Sequence, residues 1–369
     1  MDKKYLLVVL ILVLSLVTFF MTPSRDTIIP IPEPYRNLND NNQTQGVLIL
    51  AKNLDTPSSI DISDKGKIFF TEKNGQIRII EDGKLLNQSM TNIAVENKNE
   101  GGLLGITLHP NFTLNHLLYV YHTYKKDNNL LNKVLLLKER NNKVTESKTI
   151  IDNIPAASFN NGGVIRFGMD GKLYVGTGDA QIPHSSQNLS TLAGKILRLN
   201  FDGTIPNDNP IKNSSIFSYG HRDVVGLTWN SNTHEMYSAE RGPQGFDEIN
   251  IIIPGKNYGW PIEKCSGTSN VKFEQPIFCF NPSIEPSGII FPKNVTNEAG
   301  ELFISTLRGS HLRQIDLESK DQNNILVGYG RLGDIVQDRN GSLYAITSNT
   351  DDFGIKYYAD DKILKILNP

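Results

Sequence analysis

Six copies of one short pattern recur along this 369-residue chain and limit the folds open to it. Each copy combines a turn, often Asp-Gly or Asn-Gly, a strand of alternating apolar and polar residues, a second turn and a further strand. The copies begin at Lys65, Leu117, Asp170, Glu235, Gly300 and Asn340. A spacing of roughly 40–65 residues is typical of the blades of a β-propeller.

We therefore predict an all-β fold, a six-bladed β-propeller over residues 46–369. The period-2 alternation, and the lack of any long period-3.6 segment after residue 25, disfavour α/β folds. A pair of β-sandwiches is the competing architecture. We expect Val47–Ala51 to pair with the strand near residues 363–367 and close the ring, because closure removes exposed strand edges.

We predict a hydrophobic anchor or signal segment in residues 1–24. Residues 5–21 contain no charge and follow Lys3 and Lys4. This run is longer than a usual signal core of about 7–15 residues and shorter than a spanning helix of about 20. Both an uncleaved anchor and a removed signal peptide remain open, and both predict an extracytoplasmic propeller that reaches the membrane through this segment only. Residues 25–45, rich in proline and asparagine, are predicted to be a linker.

The net charge, the cysteines and the glycosylation sequons limit the possible functions further. The net charge of −2 offers no basic surface for nucleic acid. Cys265 and Cys279 are the only cysteines, and outside the cytoplasm they favour a disulfide over free buried thiols. Seven Asn-x-Ser/Thr sequons fit an external glycoprotein: Asn42, Asn87, Asn111, Asn188, Asn213, Asn294 and Asn340.

Four segments between the predicted strands resemble one known family. They are Glu100–Ile106 with His109–Phe112, Gly162–Phe167 through Asp179, Tyr219–Asp223 through Glu240–Pro243 to Asn250, and Asn257–Pro261. Tyr329–Asp334 is a weaker fifth match. In this order they resemble the glucose/sorbosone dehydrogenase family, quinoprotein propellers that use pyrroloquinoline quinone and calcium.

The resemblance implies a set of cofactor-binding residues. The backbone carbonyls of Gly242 and Pro243 correspond to calcium ligands, and hard cations prefer such oxygen donors. Arg222 corresponds to the arginine that pairs with the anionic quinone, for which a guanidinium fork is well suited. Arg308 and Arg331 are further cationic candidates. A plain turn and ordinary surface arginines are the alternatives for these positions.

The departures from the family concern catalysis. Asn160 occupies the position of the family histidine that takes the sugar hydroxyl proton, and loss of a general base typically costs about 10²–10⁴ in rate. Glu100 lies at a polar substrate-contacting position. Asp223 replaces the usual asparagine and is expected to add negative charge where an acidic quinone should bind. Val225 and Gly333 replace a glutamine and an arginine.

Three functions follow. The first is an extracytoplasmic quinoprotein-type aldose sugar dehydrogenase homologue with weakened catalysis, whose partners are an aldose sugar and an electron acceptor. The second is a non-catalytic, calcium-stabilised propeller that binds glycan or protein at the cell surface. The third is a propeller hydrolase or lactonase with a channel metal.

Overall fold

Six antiparallel β-sheets form the body of the protein in a computed structural model, which describes residues 46–265, 272–293 and 300–367. The predicted all-β six-bladed propeller is confirmed. Within the described residues, no helix is long and apolar enough to cross a membrane. The predicted N-terminal segment, residues 1–24, and the predicted linker, residues 25–45, lie outside this part of the chain.

The strands follow one another blade by blade. The first, β1 (Val47–Ala51), precedes blade 1, which contains β2 (Pro57–Ile62), β3 (Ile68–Glu72), β4 (Gln76–Glu81), β5 (Lys84–Leu85) and β6 (Thr91–Asn92). Blade 2 contains β7 (Leu103–Leu108), β8 (Leu117–Lys126), β9 (Asn129–Arg140) and β10 (Lys143–Pro155). Blade 3 contains β11 (Gly162–Phe167), β12 (Leu173–Thr177), β13 (Lys195–Leu199) and β14 (Ile216–Tyr219).

The remaining blades follow the same order. Blade 4 contains β15 (Val224–Trp229), β16 (Met236–Glu240), β17 (Asp247–Ile252) and β18 (Phe278–Phe280). Blade 5 contains β19 (Pro286–Ile290), β20 (Glu301–Thr306), β21 (Leu312–Asp316) and β22 (Gln322–Ile325). Blade 6 contains β23 (Leu332–Gln337), β24 (Leu343–Thr347) and β25 (Ile363–Ile366). Helical turns in the described residues are α1 (Phe112–Asn115) and two 3₁₀ turns, Pro183–Gln187 and Pro243–Gly245.

The ring is closed by the N-terminal strand, as predicted. β1 pairs antiparallel with β25, with Val47 opposite Ile366 and Ala51 opposite Ile363. It thereby becomes the fourth strand of blade 6. Closure covers a strand edge that would otherwise be open to pairing with another chain.

The first strands of the six blades line the central channel, each beside the next, with β23 beside β2. Each of them has a shift in its pairing register near its start. Glycines allow the close approach of neighbours, since a Cβ on Gly105 would lie 2.1 Å from the carbonyl oxygen of Gly163. Such bulges bend a strand and change the direction of the side chains beside them. Here they lie at the start of each channel strand.

Apolar clusters between successive blades form the core. Phe69 and Ile77 of blade 1 pack with Leu118 and Val120 of blade 2, and all four are fully buried. An equivalent cluster joins blade 6 to blade 1 through Phe70 and Ile346. Each blade packs against a neighbouring blade on both of its faces. Its strands therefore bury apolar side chains on both faces of the sheet.

Candidate functional site

One end of the channel, which we call the mouth, collects the segments that precede each first strand and those that join each second strand to its third. These segments are residues 52–56, 93–102, 156–161, 220–223, 281–285 and 326–331, and residues 73–75, 127–128, 178–194, 241–246, 307–311 and 348–362. Every predicted catalytic, cofactor-binding and metal-binding residue belongs to them. The propeller topology therefore places residues from five blades at the same end of the channel.

Asn160 is held between two carboxylates. Its side-chain amide donates to Oδ1 of Asp179 over 2.9 Å, and its backbone N–H donates to Oε2 of Glu100 over 2.8 Å. Asp179 is buried and accepts a second hydrogen bond at Oδ2 from the indole N–H of Trp260, over 2.9 Å. Asp179 is thus placed to orient whichever side chain occupies position 160.

Glu100 also contacts a partly buried arginine that sequence reasoning did not single out. Nη1 of Arg241 lies 3.3 Å from Oε1 of Glu100, and its Nε donates to the carbonyl oxygen of Pro286 over 3.1 Å. The sequence signal for Arg241 was its place in the Glu240–Pro243 segment, and for Asp179 its place after Gly178. Neither residue could be paired with Glu100 or Asn160 without the closed ring.

Asp223 is buried beneath the mouth instead of lying open to it. Its Oδ1 accepts the backbone N–H of Gly162 over 2.8 Å. Burial, reinforced by the charge of Glu100 and opposed by Arg241 and Arg222, raises the pKa of Asp223 to about 7. A carboxyl that is partly protonated at neutral pH adds less negative charge than its sequence position suggests.

Arg222 is bound by backbone oxygens. Its Nη1 donates to the carbonyl oxygens of Arg241 and Gly242 over 2.9 and 3.1 Å, and its guanidinium lies 5.6 Å from the centre of the Trp260 ring. No carboxylate of the described residues forms an ion pair with it. Arg222 therefore combines a positive charge with a neighbouring aromatic surface.

A buried hydrogen-bond chain supports Arg222 from below. Nδ1 of His221 lies 2.7 Å from Glu240, and Nε2 of His221 lies 2.8 Å from the hydroxyl of Ser218. The His221 ring stacks on Tyr258 with 4.6 Å between ring centres. His221 is completely buried, as expected for a packed loop residue, and it cannot contact a substrate.

The backbone carbonyls of Gly242 and Pro243, the predicted calcium ligands, are both hydrogen-bonded in this structure. The Gly242 carbonyl already accepts the Arg222 guanidinium, while the Pro243 carbonyl accepts the backbone N–H of Phe246 over 3.3 Å. In the described part of the chain, no cluster of three or more His, Cys, Asp or Glu residues could hold a metal. A metal here would therefore depend on carbonyl ligands, which suit calcium, and Arg222 would have to move off the Gly242 carbonyl to admit it. The Arg222–Trp260 pair fits a planar anionic quinone.

Arg308 and Arg331 are brought together by one acid. Arg308 lies 2.8 Å and Arg331 3.5 Å from the carboxylate of Glu285, and Arg331 also lies 3.0 Å from Asp351. Their charges are thus largely balanced within the protein. Beside them, a Cβ on Gly333 would lie 2.7 Å from Cγ1 of Ile346, so the family arginine could not replace Gly333 unless Ile346 moved.

The predicted disulfide is confirmed. Cys265 and Cys279 are bonded, with 5.8 Å between their Cα atoms. Cys279 lies in β18 opposite Glu248, which is near the mouth end of blade 4. The bond ties the long segment after β17 to the outer strand of this blade.

Comparisons with known proteins agree with this geometry. The family model "Glucose / Sorbosone dehydrogenase" matches residues 54–355. The solved PQQ-bound form of aldose sugar dehydrogenase from Streptomyces coelicolor superimposes with a TM-score of 0.79 at 30% identity, covering 88% of this chain and 98% of that one.

Two sequence relatives differ in kind. Aldose sugar dehydrogenase YliI of Escherichia coli is 29% identical over 337 residues, which covers 83% of this chain and 91% of the relative. The Hedgehog-interacting protein of Mus musculus is 27% identical over 191 residues, which covers 42% of this chain and 27% of the relative. The first match is close to full length, whereas the second spans a minor part of both proteins.

Proposed function

Because this chain belongs to the glucose/sorbosone dehydrogenase family, we propose that it is a quinoprotein-type aldose sugar dehydrogenase homologue that works outside the cytoplasm with weakened catalysis. The observation that carries this proposal is the position of Asn160 between Glu100 and Asp179. The carboxylate that would orient a general base is present, but the residue it contacts has no basic nitrogen.

The residues of the mouth would have different roles in this reaction. Arg222 and Trp260 would hold the quinone, and the carbonyls of Gly242 and Pro243 would contribute to a calcium site. Pyrroloquinoline quinone held there would supply the acceptor for the hydride from C1 of the sugar. The protein must remove the proton of the C1 hydroxyl in the same step, and Asn160 cannot do so.

Glu100 is the first candidate for the remaining proton transfer. Its Oε2 lies 2.8 Å from the backbone nitrogen of Asn160, so it borders the position of the missing base, and its side chain is partly exposed. Its other oxygen, Oε1, is paired with Arg241 over 3.3 Å, which leaves Oε2 as the atom nearest position 160. Slow turnover through Glu100 is consistent with this arrangement.

A quinone titration tests the proposal. The full chain is titrated with pyrroloquinoline quinone in the presence of calcium and followed by absorbance, and aldose oxidation is then measured with an artificial electron acceptor. We expect binding that Arg222→Gln weakens, and turnover at least about 10²-fold below that of a His-containing relative assayed alongside. Turnover equal to that of the relative would refute the weakened site, and absence of quinone binding would refute the dehydrogenase.

An external location is supported by two features of the chain. The uncharged residues 5–21 favour export or anchoring, and the Cys265–Cys279 bond is of a kind that persists in oxidising compartments. Fractionation of the native host with an antibody to the propeller tests this part. Recovery of the protein in the soluble cytoplasm would contradict it.

A second candidate function is binding without catalysis. The Glu100–Arg241 and Asp351–Arg331 pairs balance much of the charge that an anionic cofactor would need. The similarity to the Hedgehog-interacting protein points in the same direction. In this case the chain would bind a glycan or a protein at its mouth, and the quinone titration would show no binding.

A further inference from the structure

Two phenylalanine rings meet over the mouth from opposite sides of the propeller. Phe159 precedes the first strand of blade 3, and Phe353 lies between β24 and β25 of blade 6. Their ring centres are 6.3 Å apart and their planes are inclined by 50°. Phe353 remains 56% exposed, and neither ring belongs to the apolar clusters formed by the described residues.

Polar contacts of the neighbouring backbone hold Phe159 in place. The backbone N–H of Glu100 donates to the carbonyl of Ser158 over 3.0 Å, and the N–H of Asn160 donates back to the Glu100 carboxylate. The residues on either side of Phe159, Ser158 and Asn160, are therefore both hydrogen-bonded to Glu100. Phe159 directly precedes Asn160, the position of the family's general base, in the chain.

Phe353 is held in a similar way from blade 6. Its backbone N–H donates to Oδ1 of Asp351 over 2.9 Å, while Oδ2 of Asp351 pairs with Arg331. The N–H of Gly354 closes the turn on the carbonyl of Asp351 over 3.2 Å. An exposed aromatic ring is thus presented by a hydrogen-bonded turn and not by the packing of a core.

We propose that Phe159 and Phe353 form a stacking platform for the C–H face of an uncharged pyranose sugar. An aromatic ring can pack against the apolar C–H groups of a sugar while the sugar hydroxyls bond to the carboxylates and amides around it, which is the mixed lining expected of a small-molecule site. Glu100, Asn160 and Asp351 supply these polar groups beside the two rings. The inference deepens the proposed function, on which it rests for the choice of an aldose as ligand.

The spacing of the rings determines how the sugar can lie. A sugar held between two rings would need two contact distances of about 3.5–4.0 Å, or roughly 7–8 Å in total. The observed 6.3 Å is too short for that arrangement. The sugar therefore packs on the exposed surface of the pair, chiefly on Phe353.

Saturation-transfer NMR on the full chain tests the platform. The aromatic protons are irradiated in the presence of D-glucose or cellobiose, and the signal is read on the sugar ring protons. We expect transfer to the C–H face in the wild type, and affinity reduced by roughly five- to tenfold in Phe353→Ala and Phe159→Ala. Phe353→Tyr should retain binding. Phe201→Ala is the matched control, because Phe201 is 50% exposed at the other end of blade 3.

The outcomes separate this inference from the proposed function. Sugar binding that is unchanged in Phe353→Ala and Phe159→Ala, or absent from the wild type both with and without quinone, overturns the platform. Quinone-dependent oxidation with a sugar KM that neither substitution changes also overturns the platform, but it supports the proposed dehydrogenase function. Sugar binding that depends on Phe353 in a chain that binds no quinone supports the platform and refutes the dehydrogenase.

Discussion

Individual side chains at the mouth have their properties set by neighbours that are distant in sequence. Glu100 and Arg241 are 141 residues apart, and Asn160 meets Asp179 across a turn that a side chain at position 178 would block. A Cβ on Gly178 would lie 1.8 Å from the carbonyl oxygen of Asn160, so only glycine permits this approach.

Restoring a histidine at position 160 should restore a general base. In Asn160→His, Asp179 can accept one imidazole N–H and leave the other nitrogen free to take the sugar hydroxyl proton. We expect aldose oxidation to rise by about 10²-fold in the quinone-loaded protein. The double variant Asn160→His/Asp179→Asn is the control and should lose most of the gain. An unchanged rate with normal quinone binding would show that proton removal does not limit turnover.

Asp223 should make stability depend on pH. Its folded pKa of about 7 lies above the ordinary 3.8, so the folded state binds more protons than the unfolded state between these values. Stability is then lost as the pH rises through this window. Asp223→Asn keeps an acceptor for Gly162 and removes the titration. Urea unfolding should show the variant gaining about 3 kcal/mol over the wild type between pH 4.5 and 8. Parallel pH profiles would contradict this prediction.

At the scale of strands and their connections, blade 4 has a long segment between its third and fourth strands. The segment from β17 to β18 reaches the mouth, where Trp260 binds Asp179, before it returns to the outer edge of the blade. The pairing of β18 with β17 spans only residues 278–280. A disulfide can stabilise the pairing of such a short outer strand with its neighbour.

Removal of the disulfide should therefore destabilise blade 4. The bond joins residues separated by 14 positions, and closure of such a loop contributes about 3 kcal/mol through the unfolded chain. We expect a loss of this size when the wild type is reduced, measured by urea unfolding with and without dithiothreitol. Cys265→Ser/Cys279→Ser is the control and should not respond to the reductant. Alkylation of both thiols before reduction, detected by mass spectrometry, would show that the bond does not form.

Across the whole molecule, opposite blades are joined through the channel. Nη2 of Arg166 in blade 3 lies 2.7 Å from both carboxylate oxygens of Asp334 in blade 6. Asp334 also accepts the hydroxyl of Ser59 over 2.7 Å and the N–H of Ile60 over 3.2 Å, both from blade 1. The pair is mostly buried, and it links three blades around the channel.

Breaking this pair on one side should cost more than removing both partners. Asp334→Asn leaves the Arg166 charge buried without its counterion, and we expect a loss of about 3–5 kcal/mol in the free energy of unfolding. The double variant Arg166→Met/Asp334→Asn should recover part of the loss, because it removes the unpaired charge of Arg166 while the asparagine keeps an acceptor for Ser59 and Ile60. Urea unfolding of both single variants and the double variant measures the coupling. Additive losses would show that the two residues act independently.

The sequence alone determined what depends on local patterns: the repeated strands, the count of six blades, the closing strand at Val47–Ala51 and the pairing of the only two cysteines. Alternation and turn residues act over a few positions, so they can be seen in one dimension. The position of each mouth segment also followed, since a propeller returns every blade to the same end.

The tertiary structure decided which of these segments meet, because contact across a closed ring depends on the angle of every blade between them. The Glu100–Arg241 pair, the burial of Asp223 and the meeting of Phe159 with Phe353 are all of this kind. A side chain's charge state depends on the solvent and charges around it, and these are set only when distant parts of the chain are packed together.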